Sequence, residues 1–304
     1  MTGRIDWTEA IPSDCPPAVA ADLRTAAVAA ISGGLAARGF YRRADLGITD
    51  KGLDNPVTDA DHAANDAILA VLAARAPTDP VRSEESAPSP PNVTGDRLWV
   101  VDPLDGTKEF IARNGEFAVM VGLAEDGSAR LGAVLQPDPG RLYLGVSSGG
   151  AWVADTTWEG PVNGSAVSVG PFRPLRLAAD RPATVRMVRS RSHPDPLTTA
   201  VADRLGASSV LSGSVGLKCA LIATGDAEVY VHPVPFLREW DTCAPEAVLR
   251  GAGGSVSDCR GEALAYGKQE PRQLHGIFAS RADVWAEALP LVREVTSGKL
   301  GFDP

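Results

Sequence analysis

Two apolar stretches of helical character dominate the N-terminal part of the chain. The first is alanine-rich, begins after a Ser-Asp pair with two prolines in its first turn, and ends at Gly39, as is typical of a capped helix. A second helix is predicted over residues 58–75, since Pro77 cannot continue it. The polar residues 41–56 between the two helices predict an exposed loop, and loops of this length are often functional.

The pattern then changes to short apolar runs separated by turn residues. After a proline-rich loop over residues 87–96, a buried strand is predicted over residues 98–101, ending at the Asp-Pro pair that follows. Asp-Gly, Pro-containing and Gly-Gly turns separate the next four runs, which predicts an antiparallel meander. These runs cover residues 117–123, 131–135, 142–146 and 151–153.

Residues 160–174 contain several Pro and Gly and are predicted to be a linker. Strand-like and helix-like segments follow it and indicate a second α/β unit. We therefore expect two units, an N-terminal α+β half over residues 1–165 and a C-terminal α/β half over residues 166–304. The expected segments of the second unit are strands over 185–188 and 227–231, and helices over 194–205, 215–223, 241–251 and 282–295.

Composition and charge limit the classes of function. The 304 residues are 44% hydrophobic and 22% charged, which suits a globular protein of about two domains. Acidic residues exceed basic ones by 38 to 29, a net charge of −9. Because this balance offers no basic surface to nucleic acid or to an anionic membrane, we expect a small-molecule partner, met by local cations or metal ions if it is phosphorylated.

The same sequence predicts a cytoplasmic protein without membrane association. Its longest uncharged, mostly apolar run, residues 25–37, is shorter than the about 20 residues of a membrane-spanning helix. The N-terminus lacks the basic start and apolar core of a secretory signal. The four cysteines lack metal-ligand spacing and are predicted to be reduced and mostly buried.

The strongest chemical signal lies at residues 99–110. A hydrophobic strand delivers Asp102 and Asp105 onto a turn that the intervening proline stiffens and Gly106 lets bend. Together with the backbone carbonyl of Leu104, the two acids would form an oxygen-only cradle of the kind that Mg²⁺ prefers. For an isolated motif of this kind, a structural Asp-Gly turn with a helix-capping aspartate is the alternative.

Two further acidic positions favour the metal interpretation. Glu84 lies before the strand, in a Ser-Glu-Glu-Ser sequence, and Asp241 opens a predicted helix far along the chain. Each alone is more typical of a solvated or helix-capping acid. Together with the Asp-Asp turn they suit two adjacent divalent ions, which activate a water and stabilise the leaving oxygen of a phosphate ester. The spacings needed for an aspartyl-phosphate enzyme, a P-loop or a serine nucleophile elbow are not met.

This ordered set resembles the lithium-sensitive, Mg²⁺-dependent phosphatases related to inositol monophosphatase. The extended segment 102–117 is more narrowly similar to 3′(2′),5′-bisphosphate nucleotidases of the bacterial CysQ type. The motifs that carry the resemblance are Pro-Val-Thr-Asp-Ala-Asp at 56–61, Glu-Glu at 84–85, Asp-Pro-Leu-Asp-Gly-Thr at 102–107, Ser-Arg-Ser-His at 190–193, Gly-Ser-Val-Gly-Leu-Lys at 213–218, Trp-Asp at 240–241 and Gly-Ala-Gly-Gly at 251–254.

The resemblance implies a layered α/β/α/β sandwich with antiparallel and mixed sheets. It also implies hydrolysis of the 3′-phosphate of adenosine 3′,5′-bisphosphate by a metal-activated water, with two or three Mg²⁺ ions as cofactor. The alternatives are an inositol- or sugar-phosphate phosphatase on the same scaffold and a non-catalytic nucleotide-binding regulator. The family contains both monomers and homodimers, and either state is compatible with the sequence.

The resemblance further implies how the metals are held. One ion would be bound by Glu84, Asp102 and the Leu104 carbonyl, and a second by Asp102, Asp105 and Asp241. Asp102 would bridge the two ions, and the N-terminal half would be the metal-binding half.

The implied catalytic residues are Asp61, Glu84 and Thr107. Sequence alone predicts Asp61 to complete a capping box with Thr58, whereas in the family it holds the Thr107 hydroxyl near the attacking water, and the two roles are compatible. One departure concerns residues 232–239, where a proline-rich segment replaces the glycine-containing substrate loop of relatives and leaves the exact substrate open. The implied substrate contacts are Leu104, Asp105, Gly106, Thr107, Ser192, His193, Lys218 and Asp241.

Overall fold

The structure, a computed structural model, describes residues 11–52, 55–86, 96–159 and 166–297. A 3₁₀ turn at Pro17–Val19 leads into the first helix. The helices of the described residues are α1 (Ala20–Tyr41), α2 (Asp59–Arg75), α3 (Thr107–Ala112), α4 (Pro196–Leu205), α5 (Val215–Ala223), α6 (Glu239–Gly251) and α7 (Ala282–Thr296).

The strands of the same residues form two large sheets and one short hairpin. They are β1 (Thr49–Asp50), β2 (Pro56–Val57), β3 (Val81–Ser83), β4 (Arg97–Asp105), β5 (Ala118–Glu125), β6 (Ser128–Gln136), β7 (Arg141–Val146), β8 (Gly150–Glu159), β9 (Ala166–Val169), β10 (Arg173–Leu175), β11 (Arg186–Ser190), β12 (Ser208–Ser212), β13 (Val229–His232), β14 (Gly254–Ser257) and β15 (Ile277–Arg281).

The first large sheet has the order β10-β8-β7-β6-β5-β4-β3, with β9 also paired to β8. Strands β5 to β8 pair antiparallel with their neighbours, which confirms the predicted meander. Strand β3 runs parallel to β4, so the sheet is mixed. The second sheet has the order β12-β11-β13-β15-β14 and is also mixed, because β12, β11 and β13 are parallel whereas β15 and β14 are antiparallel.

Helices and sheets stack in layers. Helices α1 and α2 cover one face of the first sheet, while α5 and α6 lie between the two sheets. This confirms the layered α/β/α/β sandwich, to which α4 and α7 add an outer layer on the second sheet. The core between the sheets combines residues from both predicted halves, such as Met120 and Ala244. A division of the chain into units at residue 165 stays a prediction.

Helix α6 packs closely on the first sheet because three paired glycines face it. Gly122, Gly132 and Gly145 are direct cross-strand neighbours on β5, β6 and β7. A Cβ on Gly132 would lie 2.5 Å from the Cα of Ala244, and one on Gly145 would lie 2.3 Å from the Cα of Val248. The absence of these side chains lets the helix backbone rest directly on the sheet.

Several predicted boundaries were wrong. Strand β4 does not stop at the Asp-Pro pair but continues to Asp105, with a register shift against β5 between Asp102 and Asp105. The described part of the predicted linker forms β9 and β10, which pair with β8. The first part of the predicted linker, residues 160–165, lies outside the described residues. The same holds for nearly all of the predicted loop at 87–96.

The helical span Pro17–Tyr41 is long and apolar enough to cross a membrane by length and composition, but 61% of its most apolar window is buried within the fold. It packs against α2 and against β5 and β6. The four cysteines are free and buried, as predicted.

Candidate active site

Three carboxylates converge where β4 ends. In a regular strand, Asp102 and Asp105 would point to opposite faces, because they are three residues apart. The register shift between them adds one residue to β4 opposite β5 and brings both side chains to the same side. One oxygen from each of Asp102, Asp105 and Asp241 lies within 4.8 Å of the other two.

Asp241 reaches this cluster from the first turn of α6. Its carboxylate accepts a hydrogen bond of 2.5 Å from the backbone N–H of Arg238 and so caps the helix. Asp241 is the third residue of α6. The helix was predicted to begin at Asp241, but it begins at Glu239. Glu239 is fully buried and pairs with the buried Arg82 of β3. This ion pair ties the start of α6 to the strand that precedes Glu84.

Burial and mutual repulsion make the cluster electrostatically unfavourable without a cation. The pKa values of Asp102 and Asp241 are raised well above their usual range, first by burial and then by the charges of neighbouring carboxylates. Burial also raises the pKa of Asp105, although Lys218 and a hydrogen bond from Ser214 oppose this. A hard divalent cation would relieve the repulsion, and an all-oxygen donor set is what such ions select.

Glu84 stands beside this cluster rather than within it. Its ammonium partner is Lys51 of the segment after β1, at 3.3 Å, and the same ammonium group contacts Glu85. Burial raises the pKa of Glu84 to about 7, with Lys51 acting in the opposite direction. Repulsion from Glu84 contributes to the raised pKa of both Asp102 and Asp241, so the fourth acid is an electrostatic neighbour of the cluster. Sequence reasoning missed Lys51.

Asp61 holds Thr107 and caps α2 at the same time. One carboxylate oxygen accepts hydrogen bonds from the backbone N–H and the hydroxyl of Thr58, at 2.8 and 2.7 Å. The other accepts from the Thr107 hydroxyl at 3.1 Å. The Thr107 oxygen also lies 3.4 Å from the Leu104 carbonyl. The two compatible roles therefore use different oxygens of one buried carboxylate.

Gly106 makes the turn from β4 into α3 possible. Its φ of +94° lies in the region that favours glycine. A Cβ at this position would lie 3.1 Å from the Glu116 carbonyl oxygen. Thr107 follows as the first residue of α3, which has only six residues, so any helix-dipole contribution here is small.

Ser214, which was not among the residues selected from the sequence, hydrogen-bonds to Asp105 from the start of α5. Its hydroxyl donates to the Asp105 carboxylate at 2.5 Å, and the N–H of Gly216 donates to the same oxygen at 2.9 Å. Ser214 caps α5 with a φ of +41°, a strained value for a residue with a side chain. The serine that precedes a predicted helix was a detectable cap signal, but its strain and its long-range partner were not detectable.

Lys218 is buried, not solvated. Its ammonium group donates to the Ser214 carbonyl at 3.1 Å and lies 5.4 Å from the centre of the Tyr230 ring. Burial lowers its pKa, and Asp105 and Glu109 raise it. The Lys218 ammonium group therefore interacts electrostatically with Asp105 of the carboxylate cluster. Whether it also contacts a substrate stays a prediction.

Ser192 and His193 face the helix that carries Thr107. The Ser192 hydroxyl donates to the buried Glu109 carboxylate at 2.6 Å. The His193 ring lies 3.1 Å from the Lys108 ammonium through Nε2 and 3.3 Å from the Ser192 hydroxyl through Nδ1. Both predicted substrate contacts thus lie across from α3.

A small cavity of about 10 Å³, the size of one water molecule, lies at the carboxyl ends of β11 and β13. His232 lines it, and the Nε2 atom of this residue is buried without a hydrogen-bond partner in the described part of the chain. Burial, with the nearby Lys218, lowers the pKa of His232 to about 4. In residues 232–239, the segment in which this chain differs from its relatives, Phe236 is 69% exposed.

Comparison with known proteins gives consistent results. The model of the inositol monophosphatase family matches residues 20–293. The 3′(2′),5′-bisphosphate nucleotidase CysQ of Salmonella typhimurium is 38% identical over 218 residues, which is 71% of this chain and 82% of the relative. The enzyme of the same name from Escherichia coli K12 is 36% identical over 226 residues, or 74% of this chain and 85% of the relative.

The fold has solved counterparts. The crystal structure of CysQ from Bacteroides thetaiotaomicron, a bacterial member of the same family, superposes with a TM-score of 0.70 at 32% sequence identity. The match covers 86% of this chain and 97% of that one. The likeness therefore extends over most of both chains.

Proposed function

The chain belongs to the inositol monophosphatase family, and from that premise we propose that it is a metal-dependent 3′(2′),5′-bisphosphate nucleotidase that removes the 3′-phosphate of adenosine 3′,5′-bisphosphate. The observation that carries the proposal is the approach of three carboxylates to within 4.8 Å beside the Thr107–Asp61 hydrogen bond. The chain's 36–38% identity to CysQ enzymes favours this substrate over an inositol or sugar phosphate.

The metal ions would be Mg²⁺, two or three of them, held by Asp102, Asp105, Asp241, Glu84 and the Leu104 carbonyl. When bound, such ions lower the pKa of water and neutralise charge on a phosphate ester. Asp102 is fully buried between the other acids, which suits it to bridge two ions. Glu84 pairs with Lys51 through one carboxylate oxygen, which leaves its other oxygen to join such an ion.

Thr107 and Asp61 would orient the attacking water. The Thr107 hydroxyl donates to Asp61 and therefore presents its oxygen lone pairs to a water, whose proton they accept as a hydrogen bond. A hydroxyl keeps its own proton at neutral pH, so Thr107 directs the water rather than removing a proton. The backbone N–H groups of Gly106 and Thr107 would meet the phosphate oxygens.

The remainder of the nucleotide would face the second sheet. Ser192 and His193 lie opposite α3, and Lys218 adds a buried positive charge behind Asp105. A second phosphate is a dianion whose recognition requires such donors, whereas an inositol phosphate offers only hydroxyls there. Cytoplasmic location, lithium inhibition and a monomeric or homodimeric state remain predictions from the sequence.

Phosphate release tests the proposal. We expect kcat/KM for adenosine 3′,5′-bisphosphate to exceed the values for inositol 1-phosphate and fructose 1,6-bisphosphate, with Mg²⁺ present. Equal values for the nucleotide and inositol 1-phosphate would instead assign the chain to the inositol phosphatases. Absence of turnover with every ester would point to the non-catalytic regulator.

A further inference from the structure

The segment that carries Ser192 and His193 is joined to the segment after α3 by a bidentate ion pair. This pair adds to the contacts of Ser192 with Glu109 and of His193 with Lys108. Arg191 donates to both oxygens of the Glu116 carboxylate, from Nε at 2.7 Å and from Nη2 at 2.6 Å. The same carboxylate also accepts from the backbone N–H of Gly213 at 2.7 Å. Glu116 therefore contacts two different segments of the second sheet.

Further hydrogen bonds hold the backbone at both ends of this connection. On one side, the turn before β5 is fixed by hydrogen bonds from the Gly115 N–H to the Tyr41 hydroxyl and from the Glu116 N–H to the Asn114 side chain, both 2.9 Å long. On the other side, the Arg191 N–H donates to the Ser212 carbonyl at 3.1 Å. The pair thus joins two ordered backbones.

Packing at the same place leaves little freedom. A Cβ on Gly213 would lie 2.5 Å from the Glu116 carbonyl oxygen, and one on Gly106 would lie 3.1 Å from it. Glu116 therefore touches the turn that precedes Thr107 through its backbone and the segment that precedes Ser214 through its side chain. A change in its position would alter both.

We propose that Glu116 and Arg191 are positioning residues that set the distance between the Thr107 end of the site and the substrate contacts at Ser192 and His193. This inference rests on the proposed function. Because a charge-assisted, bidentate pair helps to fix this distance, the pair affects how well a ligand with two phosphates spans the site. A ligand with only the reacting phosphate lacks the second dianion and should depend on this distance less.

The test compares adenosine 3′,5′-bisphosphate with adenosine 3′-monophosphate, which has the same scissile bond but no second phosphate. We expect Glu116→Gln and Arg191→Ala each to raise KM for the bisphosphate about 10-fold, with kcat changed less than about 3-fold. KM for the monophosphate should change by less than about 3-fold. The double variant should be no worse than the more affected single variant, since both lose the same contact.

Glu294→Gln is the matched control. Its partner Arg204 forms an equally bidentate pair, at 3.0 and 2.7 Å, on α4 and α7. We expect this variant to leave the KM ratio of the two substrates unchanged. Since the Arg191 side chain is 43% exposed, Arg191→Ala supplies the result if Glu116→Gln does not fold.

Two outcomes would overturn the inference and are distinguishable. If the wild type prefers the bisphosphate but the variants raise KM equally for both nucleotides, or only lower the melting temperature, the positioning role fails and the proposed function stands. If the wild type hydrolyses neither nucleotide, the proposed function fails, and the inference fails with it.

Discussion

The metal-facing and the substrate-facing sides of the site are built in different ways. On the metal-facing side, Asp102, Asp105 and Thr107 come from six consecutive residues, arranged by one strand bulge and one glycine turn. Glu84 and Asp241 complete this side from two other elements. On the substrate-facing side, residues 190–193, 213–218 and 232–239 come from three separate segments of the second sheet. These segments are placed by contacts to the first side, such as that of Ser192 with Glu109.

The difference indicates where the site tolerates change. A local arrangement depends on a few residues that cannot be exchanged, whereas a long-range arrangement can be altered one segment at a time. We therefore expect changes on the metal-facing side to affect the rate of hydrolysis, and changes on the substrate-facing side to affect which substrate is preferred. The following variants separate the two, beginning with the largest effect.

Removal of the central carboxylate should be the most damaging change. Asp102→Asn takes a ligand from both proposed ions at once, so we expect kcat/KM to fall by about 10³-fold or more. EDTA should abolish the activity of the wild type, and excess Mg²⁺ should restore it. Wild-type turnover by Asp102→Asn in a phosphate-release assay would exclude the bridging arrangement.

Loss of the Thr107 hydroxyl should affect turnover rather than binding. We expect Thr107→Ala to lower kcat by about 10²-fold with a much smaller change in KM, because the hydroxyl orients only the water. Thr107→Ser keeps the hydroxyl and is the control. Steady-state kinetics on the two variants measure the difference.

Asp61→Asn separates the two roles of that residue. Thr58→Ala removes a capping side chain of α2 alone and should cost about 1 kcal/mol of stability. If Asp61→Asn lowers the melting temperature as Thr58→Ala does but leaves kcat intact, Asp61 is only a helix cap. A fall in kcat beyond that of Thr58→Ala is the expected result, since Thr107 loses its acceptor.

Ser214 tests the contact between the two sides. Removing the hydroxyl that donates to Asp105 should raise the Mg²⁺ concentration for half-maximal activity by about 10-fold, as is usual for partners of metal ligands. Ser214→Gly and Ser214→Ala both lose the hydroxyl, but only alanine keeps a Cβ at a φ of +41°. If the two variants have equal kinetics and the glycine variant is the more stable, the changed Mg²⁺ requirement results from the lost hydrogen bond and not from backbone strain.

His232 gives the smallest effect, on stability. Its pKa is about 4 in the folded protein, because it is buried, and about 6.5 in an unfolded chain. Between these values the unfolded chain binds more protons, so stability is lost as the pH falls from 6.5 towards 4. His232 should contribute a slope of up to about 1.4 kcal/mol per pH unit, measured as the difference in unfolding free energy between the wild type and His232→Asn in urea at several pH values. His62→Asn, at an exposed position of α2, is the control.

The sequence was informative where a local signal determined the structure. The capping residues predicted α2 to within one residue, and α5 has the predicted bounds. Strands β12, β14 and β15 were missed because β12 is mostly exposed and the other two are short or interrupted by polar residues. The extension of β4 through Pro103 depends on the bulge, which no local pattern indicates.

The same distinction applies to the site. The acids at 84, 102, 105 and 241 were found from their residue types, and Asp61 and Thr107 from a resemblance. Ser214 was missed because its role depends on a backbone strained by tertiary contacts. The burial of Lys218 could not be predicted, since the burial of a lysine depends on neighbours far apart in sequence.

The glycine row beneath α6 has a consequence for ion selectivity. Asp241 lies within one turn of Cys243 and Ala244, which rest on Gly122 and Gly132, so the helix-to-sheet spacing contributes to the position of its carboxylate relative to Asp102. Mg²⁺ requires oxygens at about 2.1 Å, whereas Ca²⁺ accepts about 2.3–2.6 Å. A single methyl group at Gly132 would clash with the Ala244 backbone and displace α6, and we expect the preference between the two ions to change with it. The discrimination between the two cations would then depend on a residue that never touches either.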